Sequence, residues 1–248
     1  MNLLEVQELV KIYDGRAVVD RVSFEVSAGE IVGLLGPNGA GKTTTFRMTM
    51  GIVSPNHGQV FLSDEDVTKL PMYKRARRGL GYLSQEPSIF QRLTVRQNIM
   101  AILETLKMSR RQREKRCAEL LGELSLTQLR DHRACTLSGG ERRRLEITRA
   151  LITSPALIML DEPFSGIDPK AVFDIQEIIQ GLRDRGIGVL LTDHSVRETL
   201  AVTDRSYIIH EGKILRSGTG PELIQDPLVR KFYLGEKFRA DEITGRQN

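Results

Sequence analysis

Tryptophan is absent from this chain, and 8 Phe with 5 Tyr supply an aromatic content of only 5%. So few rings argue against a surface that holds single-stranded nucleic acid by base stacking. Cysteine occurs twice, at Cys117 and Cys135, without C-x-x-C spacing. Two reduced thiols in a cytosolic protein are expected, rather than a disulfide framework or a zinc site. No apolar run approaches the roughly 18 residues of a membrane span. The opening Met1-Asn2-Leu3-Leu4-Glu5 lacks the basic and apolar regions of a signal peptide, so none is expected. With 22 Gly and 9 Pro, collagen-like and low-complexity classes are excluded. Excess charge is also small: 36 basic against 32 acidic residues leave +4. That balance permits phosphate ligands, acidic membrane surfaces or nucleic acid without selecting one.

The 248 residues suit one to two domains at about 150 residues each, ample for a core without disulfide or metal staples. Val22, Phe24 and Val26 alternate with polar residues as in a half-exposed strand, and Ala28-Gly29 forms a turn. Ile31 to Leu35, Ala156 to Leu160 and Gly188 to Leu191 are continuous apolar runs, the pattern of parallel strands buried on both faces. Gly58 to Leu62 and Leu80 to Leu83 read as further short strands, and Ser206 to Leu215 as a hairpin. Thr94-x-x-Gln97 and Ser109-x-x-Gln112 have capping-box spacing, and Leu120, Leu121 and Leu124 give the second helix an apolar stripe. Asp168-Pro169 marks another helix start. Strands alternating with helices predict an α/β fold with a parallel core, interrupted by a helical insertion over about 89–153. A single domain over 1–236 and a fraying tail over 237–248 complete the expected organisation. Two basic runs, Lys74 to Arg78 and Arg110 to Arg116, read as solvated helix faces, with acidic lipid head groups or an acidic partner as the alternative.

Three motifs carry chemistry. Gly36-Pro37-Asn38-Gly39-Ala40-Gly41-Lys42-Thr43 fits G-x-x-x-x-G-K-[ST], between a buried strand and a helix. Glycines let backbone N–H groups turn inward around phosphate oxygens, and the helix adds its positive end. Lys42 is placed to reach β- and γ-phosphates, and Thr43 to ligate Mg²⁺. Leu157 to Leu160 is an apolar strand ending in Asp161 and Glu162, where ligands bind in parallel sheets. There Asp161 suits Mg²⁺ and Glu162 suits the polarisation of an attacking water. Leu137-Ser138-Gly139-Gly140-Glu141 is either a second phosphate-binding helix start or a plain helix cap.

With these three motifs in order, residues 3 to 236 resemble the nucleotide-binding subunits of ATP-binding cassette (ABC) transporters. The resemblance implies a RecA-like parallel core with an N-terminal antiparallel β region and a helical subdomain. It implies that Thr44 also contacts phosphate and that Ser138, Gly139 and Gly140 meet the γ-phosphate held by another protomer. By the same resemblance, Tyr13 stacks on adenine, Gln85 senses Mg²⁺ and the lytic water, and His194 contacts the γ-phosphate. Ser165 to Asp168 would cross a dimer interface. One phosphate loop and one signature per chain imply a head-to-tail homodimer around two ATP molecules.

Within the family, the stretches Ala76 to Leu83, Gln85 to Phe90, Gly140 to Ile147 and Leu234 to Arg239 look like ATPases of lipopolysaccharide transport complexes. Ser84 and Gln91 depart from that pattern, which has Pro and Arg there. The implied setting is the cytoplasmic face of a bacterial inner membrane, beside two permease subunits. Phe90, with Ile89, either receives a short cytoplasmic helix of each permease or fills the helical core. The alternatives are the ATPase of a branched-chain amino-acid importer, or an ABC ATPase acting on nucleic acid. This chain lacks the tandem cassettes or long insertions expected of the second, and no nucleic-acid partner is expected.

Overall fold

The computed structural model describes residues 2–86, 88–235 and 238. The chain opens with β1 (Asn2–Tyr13), β2 (Arg16–Ser27) and β3 (Ile31–Leu35), then α1 (Lys42–Met50). β4 (His57–Leu62), β5 (Glu65–Asp66), α2 (Met72–Ala76) and β6 (Leu80–Leu83) follow. Three helices come next: α3 (Val95–Leu103), α4 (Arg110–Glu123) and α5 (Gly139–Leu151). The chain then returns through β7 (Leu157–Asp161), α6 (Pro169–Asp184), β8 (Gly188–Thr192) and α7 (Val196–Leu200). It closes with β9 (Arg205–His210), β10 (Lys213–Gly218), α8 (Gly220–Gln225) and α9 (Pro227–Val229). Among the described residues, no helix is long and apolar enough to cross a membrane.

Two sheets organise these elements. One is antiparallel, in the order β2-β1-β4-β5. The other runs β10-β9-β3-β8-β7-β6, with every neighbouring pair parallel except β9 and β10. Every residue of β3, β7 and β8 is buried, as their unbroken apolar sequence requires. Register pairs Leu83 with Leu160, Leu160 with Leu191 and Asp161 with Thr192. The carboxyl ends of β6, β7 and β8 therefore finish level, bringing Gln85, Glu162 and His194 to one rim.

The expected caps form. Thr94 and Gln97, Ser109 and Gln112, and Ser138 and Glu141 each close a reciprocal capping box, while Asp168 accepts from Ala171 N at 3.1 Å to start α6. The apolar faces of α3, α4 and α5 meet in one core with Leu120, Leu121 and Leu124. A smaller cluster joins Leu35 to Leu200, Ile208, Leu223, Ile224 and Val229; α7 to α9, which complete it, carried too short a pattern to be read in advance.

The first basic run is not uniformly solvated. Arg75 is 1% exposed. Its guanidinium donates to Met48 O (3.0 Å), Thr49 O (2.6 Å), Leu70 O (2.9 Å) and Thr68 O (2.8 Å). The carbonyls at the end of α1 need donors, and a cation there opposes the negative end of the helix dipole. Burial pulls the Arg75 pKa down to about 10. Lys74, Arg77 and Arg78 remain exposed. Ile89 is buried in the helical core, whereas Phe90 is 48% exposed under the Arg149 guanidinium, 4.8 Å from its ring centre. Beyond Gly235 only Phe238 is described, so the rest of the expected tail lies outside the described residues.

Candidate functional site

The loop from Gly36 to Gly41 joins the buried β3 to α1. A Cβ on Gly36 would sit 2.1 Å from Ile209 O, and one on Gly41 2.6 Å from Val18 O, both at positive φ. Glycine is thus obligatory where this loop passes against the strands beneath it. No side chain caps the start of α1, which leaves its amides available to an anion. A cavity of about 240 Å³ opens there, lined by Asn38 to Thr44, Glu162, Thr192 and His194. These groups fit a phosphate chain. The Lys42 ammonium lies folded onto the loop, donating to Gly36 O (2.6 Å) and Pro37 O (3.0 Å). Burial holds its pKa below the usual lysine value, against the opposing charge of Glu162.

Asp161 ends β7, buried. Burial, reinforced by the charge of adjacent Glu162, pushes its carboxyl above the usual range. Tyr82 Oη lies 3.5 Å away, and burial raises its own pKa to about 12. The adjacent Asp161 and Glu162 carboxylates, and the Thr43 hydroxyl of the cavity that Glu162 also lines, are hard oxygen ligands of the kind Mg²⁺ takes. Glu162 adopts a left-handed backbone, φ 49°, a conformation costing about 1–3 kcal/mol outside glycine. Its amide donates to Thr192 O at 2.7 Å. Its Oε2 accepts from Gln85 Nε2 at 2.7 Å and lies 3.5 Å from His194 Nδ1. Three residues from three strand ends therefore meet on one carboxylate oxygen, facing the phosphate loop.

Arg143 was not identified from the sequence. Buried on α5, it donates through Nε to Pro163 O (3.2 Å) and through Nη2 to Asp161 O (3.0 Å) and Glu162 O (2.9 Å). Its Nη1 donates to Ser84 O (3.2 Å) and to Glu146 Oε2 (2.9 Å). One guanidinium so holds the backbone of Glu162 and of the residue before Gln85. The available signal was spacing: Arg143 falls on the buried stripe of Gly140, Ile147 and Leu151. Asp193, buried between Thr192 and His194, was missed as well.

The remaining candidates stand apart from this cavity. Ser138 and Gly139 are exposed at the start of α5, whose Ser138 amide holds the Glu141 carboxyl below its usual range. A Cβ on Gly139 would meet Gly166 O at 3.4 Å, and one on Gly140 would press on Ala171 at 2.7 Å. The Ser138 glycines and the 165–168 loop with Asp168 thus form one surface. Tyr13 is exposed at the end of β1, with the Lys11 ammonium 5.1 Å from its ring centre. None of these lines the cavity of the phosphate loop in its own chain.

A family profile described as ABC transporter matches residues 19–165. The lipopolysaccharide export system ATP-binding protein LptB of Acidithiobacillus ferridurans is 56% identical over 238 residues, 96% of this chain and 99% of that protein. The Escherichia coli K12 protein of the same name is 55% identical over 240 residues, 96% of this chain and all of its own. Among solved structures, an ATP-binding cassette of an ABC transporter in its ADP conformation superposes with a TM-score of 0.86 at 28% identity, covering 95% of this chain and 100% of the other. A nucleotide-free cassette gives 0.85 at 29% identity, with the same coverage.

Proposed function

The chain belongs to the ABC transporter family as an ATP-hydrolysing subunit, and we propose that it powers lipopolysaccharide export from the cytoplasmic face of a bacterial inner membrane. The observation that carries the catalytic reading is the convergence of Gln85 and His194 on Glu162 above the phosphate loop. Likeness to lipopolysaccharide export proteins over 96% of the chain supports the substrate.

In this reading the backbone amides of the Gly36 to Thr44 loop, apart from that of Pro37, which has no N–H, bind the phosphates, and Tyr13 stacks on adenine. Lys42 exchanges its two loop carbonyls for β- and γ-phosphate oxygens. Thr43, Gln85 and Asp161 would hold Mg²⁺, which would supply positive charge to offset that of the phosphate chain. Glu162 accepts a proton from the water that attacks the γ-phosphorus, while the bond to the β-phosphate oxygen breaks. His194 contacts the γ-phosphate. Ser138, Gly139, Gly140 and Asp168 lie outside this cavity, which supports their acting on a nucleotide held by a second, head-to-tail copy.

Residues 89–153 form the lobe that moves, and each of two integral membrane permeases docks a short cytoplasmic helix near Phe90. An exposed aromatic beside the segment carrying Gln85 suits a mechanical grip. Phe90→Ala should weaken copurification with the permeases while leaving ATP binding and melting temperature unchanged. Lost thermal stability with normal copurification would refute the docking role. For the transport function, the chain should restore growth to Escherichia coli depleted of its own 55%-identical export protein. Glu162→Gln should not. Failure of the well-expressed wild-type chain to restore growth would overturn the lipopolysaccharide reading.

A further inference from the structure

Asp193 lies between the end of β8 and His194 and is 1% exposed. Its Oδ2 accepts the amide of Phe164 at 2.9 Å, and its Oδ1 accepts that of Ser195 at 2.8 Å. Oδ1 also lies 3.7 Å from His194 Nδ1. Burying a carboxylate sacrifices its hydration, and two charge-assisted bonds from backbone amides offset that loss. The amides come from different loops. Phe164 leads into Ser165 to Asp168, the loop beside Gly139. Ser195 closes the turn that carries His194. The base beneath is stiff, because Thr192 donates to Leu34 O at 2.8 Å and accepts from Glu162 N at 2.7 Å.

We propose that Asp193 is a positioning residue that links the two nucleotide sites of the dimer. This rests on the head-to-tail reading above. There, His194 meets the γ-phosphate in its own chain's site, while the 165–168 loop borders the other site. Both loops hang on the two oxygens of one rigid carboxylate. A shift of His194 toward or away from phosphate therefore moves Phe164 and the loop it leads into. Coupling of this kind requires contacts that differ between the two states, and it commonly amounts to about 5–150-fold.

The test uses mixed dimers with one live site. One chain carries Glu162→Gln and so holds the dead site; its companion keeps Glu162 and the live site. Asp193→Asn preserves shape but turns one acceptor into a donor that faces a backbone amide. It is placed in either chain, with melting temperature checked. The link predicts that both placements lower live-site kcat at least about fivefold with KM for ATP nearly unchanged. An unaltered rate when the variant sits in the dead-site chain overturns it, as does an effect confined to KM. His194→Ala in the dead-site chain asks the same question without touching Asp193, and should lower live-site kcat similarly; no loss overturns the link. Mixed dimers without the Asp193 and His194 changes report on the underlying reading separately. If they fail to form, or form without hydrolysing ATP, the composite-site reading fails and the link with it; if they do both, failure belongs to the link alone.

Discussion

Removing the Arg143 guanidinium should separate stability from catalysis. In Arg143→Met the apolar stem is replaced, but Glu146 stays buried without its cation, and its Oε1 already has no hydrogen-bond partner. Stranding one member of a buried pair costs about 3–5 kcal/mol. At about 2–4 °C per kcal/mol for a chain of this size, the melting temperature should fall by about 6–20 °C. Arg143→Met with Glu146→Met removes both charges. Apolar replacement of a buried pair is often neutral or better, so most of that loss should return. What does not return are the donors to Asp161, Glu162 and Pro163 carbonyls. With Glu162 in a left-handed backbone and fewer bonds to hold it there, a misplacement of about 1 Å could lower kcat by about 10²-fold. The double variant should therefore melt near the wild type yet hydrolyse ATP at least about tenfold more slowly, at similar ATP affinity. Circular dichroism melts and steady-state ATPase assays decide it. A double variant with wild-type turnover would refute the positioning argument, and one that stays as unstable as the single would refute the ion-pair argument.

Arg75→Met removes four donated bonds, two to the end of α1 and two to the Thr68 and Leu70 carbonyls, each made by a charged donor worth about 1.5–3 kcal/mol singly. Because such terms are not additive, a loss of about 3 kcal/mol in denaturant unfolding is expected; a change within about 0.5 kcal/mol would return Arg75 to an ordinary surface residue. Asp161→Asn should stabilise the nucleotide-free chain at neutral pH. The Asp161 carboxyl is raised in the fold, so its charged form opposes folding; that penalty is absent below the ordinary carboxylate pKa and grows as pH rises through the raised value. The gain over wild type should shrink on acidification, and a gain independent of pH would contradict the assignment.

The phosphate loop, the buried strands and the capping boxes were legible because each depends on residues near one another in sequence. Their glycine spacings, apolar runs and reciprocal Ser/Thr and Gln/Glu pairs state a local geometry directly. The meeting of Gln85, Glu162 and His194 could be inferred only through family resemblance, since it depends on the β6-β7-β8 order and register. Arg75, Arg143 and Asp193 were not legible. A charge in a sequence reads as solvated, and what keeps these three buried is a set of backbone groups from distant segments. Met48 and Thr49 receive Arg75, Asp161 to Pro163 receive Arg143, and the Phe164 and Ser195 amides hold Asp193. No periodicity marks an acceptor that appears only after folding.

The central claim is that Glu162 serves as the base in an ATP site completed by a second chain. Purified Glu162→Gln with ATP and Mg²⁺, followed by light scattering and phosphate release together, tests it most directly. The account predicts a shift from the 27.9 kDa chain to twice that mass, with retained ATP. Turnover should be at least about 10²-fold below wild type, the scale of a lost general base. Near-wild-type phosphate release, or an ATP-loaded chain that stays monomeric, would contradict it.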